Sequence, residues 1–160
     1  MKKYVINKGK HFSSGWWLRF LNFHLNVNTF KFFAKLTPSC YWSPPQNIDD
    51  YEKNIICGVG FGINHNKNSI RIAWVPNFSR TNYFKLFAYY YDGANKHNNS
   101  IFLCEVEADQ EIKIELYRTN NKNYYVYVNE SCLKIDNLIK DKNWGFYLFP
   151  YFGGNNSAPL

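Results

Sequence analysis

The sequence predicts an all-β protein built as a two-layer antiparallel β-sandwich, and three observations carry that expectation. Apolar and polar residues alternate with a period of two in one run after another, as strands with a single buried face require. Turn-forming residues interrupt those runs every ten residues or so. No long segment carries a helical period. The aromatic share, 20% of the chain, fits the same picture, because large rings fill a thin sandwich core well.

Taken in order, strands are expected over 3–8, 15–24, 29–37, 55–62, 69–75, 83–91, 101–107, 111–118, 123–129 and 144–152, about five to each layer. The clearest is 112–118, where Ile112, Ile114 and Leu116 face one way and Lys113, Glu115 and Tyr117 the other. Thr119-Asn-Asn-Lys122 joins it to Tyr124–Val128 as a hairpin, because Asn tolerates positive φ. Asp92-Gly93 marks a second sharp turn. Gly58, Gly60 and Gly62 alternate in a strand pattern, where glycine lets a neighbouring ring or backbone come close. Thr37–Lys53 carries Pro38, Pro44 and Pro45 and reads as a long loop, a length that usually has a function. Residues 133–142 suit one helical turn or a short strand.

Length and composition suit a single domain over 1–160 with its own core. There are 19 Lys and Arg against 12 Asp and Glu, a formal charge of +7. That balance permits an acidic partner, although scattered charges of this kind also serve plain solubility. The N-terminus lacks the apolar stretch of a signal peptide, and no run approaches a membrane span. The expectation is therefore a protein made in a cytoplasm, with no membrane partner. Cys40, Cys57, Cys104 and Cys132 lie far apart, without zinc-type spacing, and are read as free thiols.

The run Tyr83–Tyr91 is aromatic on both faces. Phe84, Leu86, Ala88 and Tyr90 suit the core, so Tyr83, Lys85, Phe87, Tyr89 and Tyr91 project from the other side. If 69–75 is the neighbouring strand, Ile70, Ile72 and Trp74 point inward and Arg71 joins the tyrosines. An open face of this kind suits sugars: rings stack on pyranose C–H surfaces, while hydroxyls and guanidinium bind sugar hydroxyls or carboxylates. The plainer alternative is that these tyrosines cover a second apolar layer beneath a loop. His65 sits in a polar loop before Arg71 and joins the candidate glycan- or partner-binding set of Arg71, Tyr83, Lys85, Tyr89, Tyr91 and His65.

Catalytic machinery is not expected. Glu105 and Glu107 share a strand face, as a glycosidase pair would, but such acids also mark a solvated edge. There is no phosphate loop, no nucleophile elbow and no His metal signature, so neither cofactor nor metal is expected. Nucleic acid is not an expected partner either, because no oligonucleotide-binding signature accompanies the Tyr83–Tyr91 strand.

Three stretches carry a resemblance: Lys8-Gly-Lys-His-Phe-Ser13, the run from Cys57 to Trp74, and Phe149-Pro-Tyr-Phe-Gly-Gly-Asn-Asn-Ser-Ala-Pro159. Together they resemble concanavalin A-like jelly-roll proteins, especially small ones of gut Bacteroidetes and their tailed phages. The resemblance implies a jelly roll whose sheet face is often used for glycans. The superfamily includes alginate-lyase-like enzymes. Tyr83-Phe-Lys85 matches the start of one of their strands, but their Gln–His element has no counterpart, Asn64-His65 being the nearest approach. In the jelly rolls resembled, the Gly-Gly-Asn turn leads through Ala-Pro into a final strand, and this sequence stops there. Residues 153–160 are accordingly expected to form an arm, with Gly153, Gly154, Asn155, Asn156 and Pro159 as assembly contacts.

Two functions follow as expectations. The first is a non-enzymatic binding or assembly module, in phage context a virion surface or capsid-decorating protein, docked on other subunits and able to hold glycans. The second is a carbohydrate-active enzyme, a lyase or hydrolase acting on acidic glycans through Arg71, His65, Tyr89 and Tyr91.

Overall fold

The alternating runs fold into two antiparallel sheets. In the computed structural model of the protein the described residues are 5–7, 23–25, 28–41, 53–63, 66–92, 99–119, 123–136 and 144–152. Ten strands lie among them: β1 (Phe23–His24), β2 (Thr29–Ala34), β3 (Asn54–Phe61), β4 (Asn68–Pro76), β5 (Tyr83–Asp92), β6 (Asn99–Glu107), β7 (Ile112–Arg118), β8 (Tyr124–Val128), β9 (Ser131–Ile135) and β10 (Gly145–Leu148). The layers hold six and four strands, in the orders β1-β10-β3-β4-β5-β6 and β2-β7-β8-β9. The even division expected from the sequence is thus replaced by a wide sheet and a narrow one. Among the described residues there is no α-helix, only a 3-10 turn at Pro38–Cys40.

The core lies between the sheets and is built by side-chain alternation. Ile112, Ile114 and Leu116 of β7 and Tyr124, Val126 and Val128 of β8 are buried from the narrow sheet. They meet Val59, Phe61, Ile70, Ile72, Phe84 and Leu86 from the wide one. Two ring contacts mark the interface: Phe61 with Tyr124 at 5.3 Å between centroids, and Phe30 with Tyr147 at 4.8 Å. Full burial of such a side chain is worth about 1.5–3 kcal/mol.

Several boundaries differ from the sequence expectation, each for a local reason. Residues 133–142 were open between a helical turn and a strand; β9 occupies 131–135, because Asn129 takes a left-handed φ of 51° and folds β8 back on itself. Its amide nitrogen and side-chain oxygen also bond the Lys113 backbone, which pins that corner. The strand expected over 29–37 ends at Ala34, the last residue paired with β7. Of the run 15–24, Phe23 and His24 form β1, while 15–22 lie outside the described residues; of 3–8, residues 5–7 are described and are not in a strand. The tip of the 119–122 hairpin, the turn at Gly93, His65 and the whole stretch 153–160 are also outside them.

Strand β10 is internal to the wide sheet, paired with β3 on one side and with β1 on the other. Beyond it, Tyr151 pairs again with Ile55 through two backbone hydrogen bonds of 2.9 and 3.1 Å. This second pairing carries the Tyr151 side chain onto the outer face of the sheet.

Candidate binding face on the six-stranded sheet

Alternation along β5 decides which side chains reach that outer face. Phe84, Leu86 and Ala88 are fully buried, while Tyr83, Lys85, Phe87, Tyr89 and Tyr91 are half-buried on the opposite side. Arg71 of β4 stands directly opposite Tyr89 in the β4–β5 register. The division of Tyr83–Tyr91 into a core side and an outer side, and the placing of Arg71 with the tyrosines, are therefore as the sequence suggested.

The face is not open at Arg71. That side chain is 2% exposed. Its Nε donates to Ser69 Oγ at 3.0 Å, Nη1 to the Tyr151 hydroxyl at 2.7 Å and Nη2 to Asn66 Oδ1 at 3.0 Å. Its guanidinium carbon lies 4.9 Å from the Tyr91 ring centroid and 6.0 Å from those of Tyr89 and Tyr151. Charge-assisted bonds and ring faces together hold the fork of a desolvated guanidinium in one orientation. Gly58, paired with Arg71 across β3–β4, makes room for it. A Cβ there would run into the Ile70 carbonyl oxygen and stand 2.9 Å from the Arg71 Cα.

Arg71 in turn organises the tyrosines. The Tyr89 and Tyr91 hydroxyls share a hydrogen bond of 2.9 Å, and their rings meet edge to face at 5.3 Å. Burial pushes the Tyr89 phenol above its ordinary range, the bond to Tyr91 pushes it further, and Arg71 opposes both. At neutral pH such a phenol is protonated; it can donate and accept hydrogen bonds but is a poor proton abstractor.

Cation–aromatic pairs continue along the strand. The Arg80 guanidinium lies 3.4 Å from the Tyr83 ring centroid, and Lys53 Nζ 5.0 Å from that of Phe87. Partial burial lowers the Lys53 pKa. Phe87 also meets Phe102 of β6 at 5.8 Å, near perpendicular, and Phe102 is 52% exposed. Glu105 and Glu107 face Lys85 and Tyr83 across the β5–β6 pairing. Both acids are exposed, and Glu105 accepts a 2.9 Å hydrogen bond from Asn77 Nδ2. The result is a stripe with half-buried tyrosine hydroxyls around Arg71 at one end and apolar rings and charges toward the other.

Sequence reasoning missed Tyr151, Arg80, Lys53 and Phe102. Tyr151 is 80 positions from Arg71, and no local pattern announces such a contact. Phe102 was closer to legible, but the pairing shifts register between Leu86 and Phe87, so counting across the hairpin misplaces it.

All four cysteines are free, with Cys57 buried and Cys132 exposed. Among the described residues no group of His, Cys, Asp and Glu side chains is arranged to hold a metal ion, and no helix is long and apolar enough to cross a membrane. Comparison with known proteins gave no matching family model, no matching curated protein and no matching solved structure.

Proposed function

We propose that this chain is a non-enzymatic binding and assembly module, and that its recognition surface is the outer face of the six-stranded sheet. One observation carries the reading: the Arg71 cluster orders Tyr89 and Tyr91 on the same face as the Tyr83, Lys85, Phe87 and Phe102 stripe. Rings of this kind stack on sugar C–H surfaces, and preordered hydroxyls bind sugar hydroxyls without a large ordering cost. Arg71 acts here as a positioning residue, because it is too deeply buried to offer its guanidinium to a large ligand. The protonated Tyr89 phenol favours binding over a lyase mechanism, which needs a tyrosine ready to accept a proton.

The finer assignments belong to the same proposal. The sandwich is assigned to the jelly-roll, concanavalin A-like class, on the resemblance of three sequence stretches and on a chain path that passes between the sheets four times. Its setting is assigned to an assembly such as a phage virion surface, with the basic balance of +7 suiting an acidic shell.

The test is a glycan array combined with a lyase and hydrolase assay on acidic polysaccharides. Binding without turnover is expected, weakened about tenfold or more by Tyr83→Ala or Tyr89→Ala, the loss typical of a ring at the centre of a contact. Turnover abolished by Tyr89→Phe would instead make the protein an enzyme. Binding untouched by both alanine variants would place the recognition surface elsewhere.

A further inference from the structure

The outer face of the six-stranded sheet divides into a closed half and an open half. Around Arg71, strand register puts Ile55, Ser69, Ala73 and Leu148 on the outer side, yet all four are buried. The open half begins beyond them. Asn54 pairs with Trp74, Val75 with Lys85 and Lys85 with Glu105, so Lys53, Val75, Lys85 and Glu105 follow one another across the sheet. Neighbouring strands run about 4.8 Å apart, which sets roughly 10 Å between the backbones of Lys53 and Lys85. Two long side chains can close that gap onto one anion. Val75, half-buried, is the floor between them.

Three cations line this half beside its rings. Lys53 Nζ lies 5.0 Å from the Phe87 centroid, the Arg80 guanidinium covers the Tyr83 ring at 3.4 Å, and Lys85 stands between those two rings on β5. Among the described residues no ion pair holds any of the three. The narrow sheet shows the opposite arrangement. Its outer side carries Tyr117, Tyr125 and Tyr127, but Glu115 holds Lys31 at 2.9 Å and Lys113 at 3.3 Å, and Asp136 holds Lys134 at 2.7 Å. Rings occur on both faces; it is the unpaired cations that set the wide sheet's open half apart. Its two acids, Glu105 and Glu107, lie on β6, on the far side of Lys85 from Lys53, and Glu105 is engaged by Asn77 Nδ2 at 2.9 Å. They turn an incoming anion away from β6 and toward Val75.

We infer that the open half binds an acidic glycan, with one carboxylate or sulfate held over Val75 by Lys53 and Lys85, the sugar ring set against Phe102, and the acid group of a further residue taken by Arg80. This names the ligand class of the recognition face proposed above and rests on that reading. Each part has its reason. Phe102 is 52% exposed and meets Phe87 edge to face, so it offers a ring that the core does not use. A guanidinium stacked on a ring keeps its in-plane N–H fork free for a planar acid. Partial burial has already cost Lys53 part of its hydration, so an anion there meets a poorly solvated partner. Arg71 supplies none of this charge, because its donors are spent on Ser69, Asn66 and Tyr151. Glu105 and Glu107 are left to accept from uncharged sugar hydroxyls.

The experiment places the full chain on an array of neutral, uronate-containing and sulfated oligosaccharides. Calorimetry follows on the strongest binder and its neutral counterpart, with inorganic polyphosphate as a sugar-free competitor. Acidic members should be held at least about tenfold more tightly than their neutral counterparts, the gain from one charge-assisted hydrogen bond. Retention of uronates alone makes the anion a carboxylate, and of sulfated members alone a sulfate ester; either supports the inference. Lys53→Gln, Lys85→Gln and Arg80→Gln should each weaken binding about three- to tenfold. Lys53→Arg and Lys85→Arg keep the charge and should stay within about twofold of wild type; they decide the matter if a glutamine variant proves unfolded by circular dichroism. Lys134→Gln removes the same charge from the narrow sheet and should change nothing. Neutral counterparts held as tightly as acidic ones, with the glutamine variants equal to wild type, would overturn the acidic class while leaving the recognition face standing. Polyphosphate bound as tightly as the glycan, and unaffected by Phe102→Ala, would reduce the site to a plain charge patch and overturn it too. Retention of no glycan of any class would overturn this inference and the recognition face together.

Discussion

Replacing Tyr124 with Phe should make this protein more stable, against the usual direction for a buried tyrosine. Tyr124 is fully buried, and its hydroxyl finds no hydrogen-bond partner among the described residues. An unsatisfied buried hydroxyl costs about 1–3 kcal/mol. Removing the oxygen forfeits a handful of dispersion contacts, each about 0.1–0.2 kcal/mol. The packing of the ring on Phe61 at 5.3 Å and the Arg118 guanidinium at 5.8 Å are kept. The net gain is therefore about 1 kcal/mol, or about 2–4 °C in Tm for a chain of this size. The same variant has an alkaline signature. Burial pushes the Tyr124 phenol up to about 12, with Arg118 opposing. Its folded pKa exceeds its unfolded one, so its contribution is complete below about pH 10 and is lost as pH rises toward about 12. The variant should lose less stability across that window, by roughly 2 kcal/mol at most. Urea unfolding followed by tryptophan fluorescence from pH 7 to 11 measures both effects. A Tyr124→Phe protein less stable than wild type at pH 7, with an unchanged alkaline slope, would refute the reasoning and mean that the hydroxyl is satisfied in solution.

Other expectations follow from the same geometry. Gly58→Ala forces a Cβ against the Ile70 carbonyl and the Arg71 backbone; overpacking of this kind costs about 1–3 kcal/mol, read as a lower Tm, and should weaken ligand binding at the Tyr89 end of the face as well. Phe61→Ala removes a fully buried ring from the junction of the two sheets and should cost about 3–5 kcal/mol in chemical denaturation. Thiol labelling of the native protein should modify Cys132 quickly and Cys57 only on unfolding, since Cys57 is fully buried and its thiol pKa is raised by that burial; equal rates would contradict the packing of β3.

The strands were legible because their chemistry is local. The Ile112–Arg118 run alternates cleanly, and the structure buries Ile112, Ile114 and Leu116 as that alternation demands. Arg71 was placed with the tyrosines for the same reason, since strand parity and one hairpin pairing suffice. Its burial was not legible, because it depends on Gly58, Tyr151 and Asn66 arriving from three separate segments. A short strand after β8 was one of two readings of that segment, but the turn that leads into it was not read, although Asn129, immediately after Tyr-Tyr-Val-Tyr-Val, carried the signal of a left-handed turn. The tyrosine face of the narrow sheet was hidden by a different limit. Each strand shows its own outward residues, but only the order β2-β7-β8-β9 gathers Lys31, Tyr117, Tyr125 and Lys134 onto one surface.

The central claim, that the outer face of the six-stranded sheet is a recognition surface ordered by Arg71, is tested most directly by hydroxyl-radical footprinting with a glycan retained on the array. Protection of Tyr83, Phe87, Tyr89 and Phe102 is the expected result, lost in an Arg71→Met protein that still folds. Protection confined to Tyr117, Tyr125 and Tyr127, or a footprint identical in wild type and Arg71→Met, would contradict it.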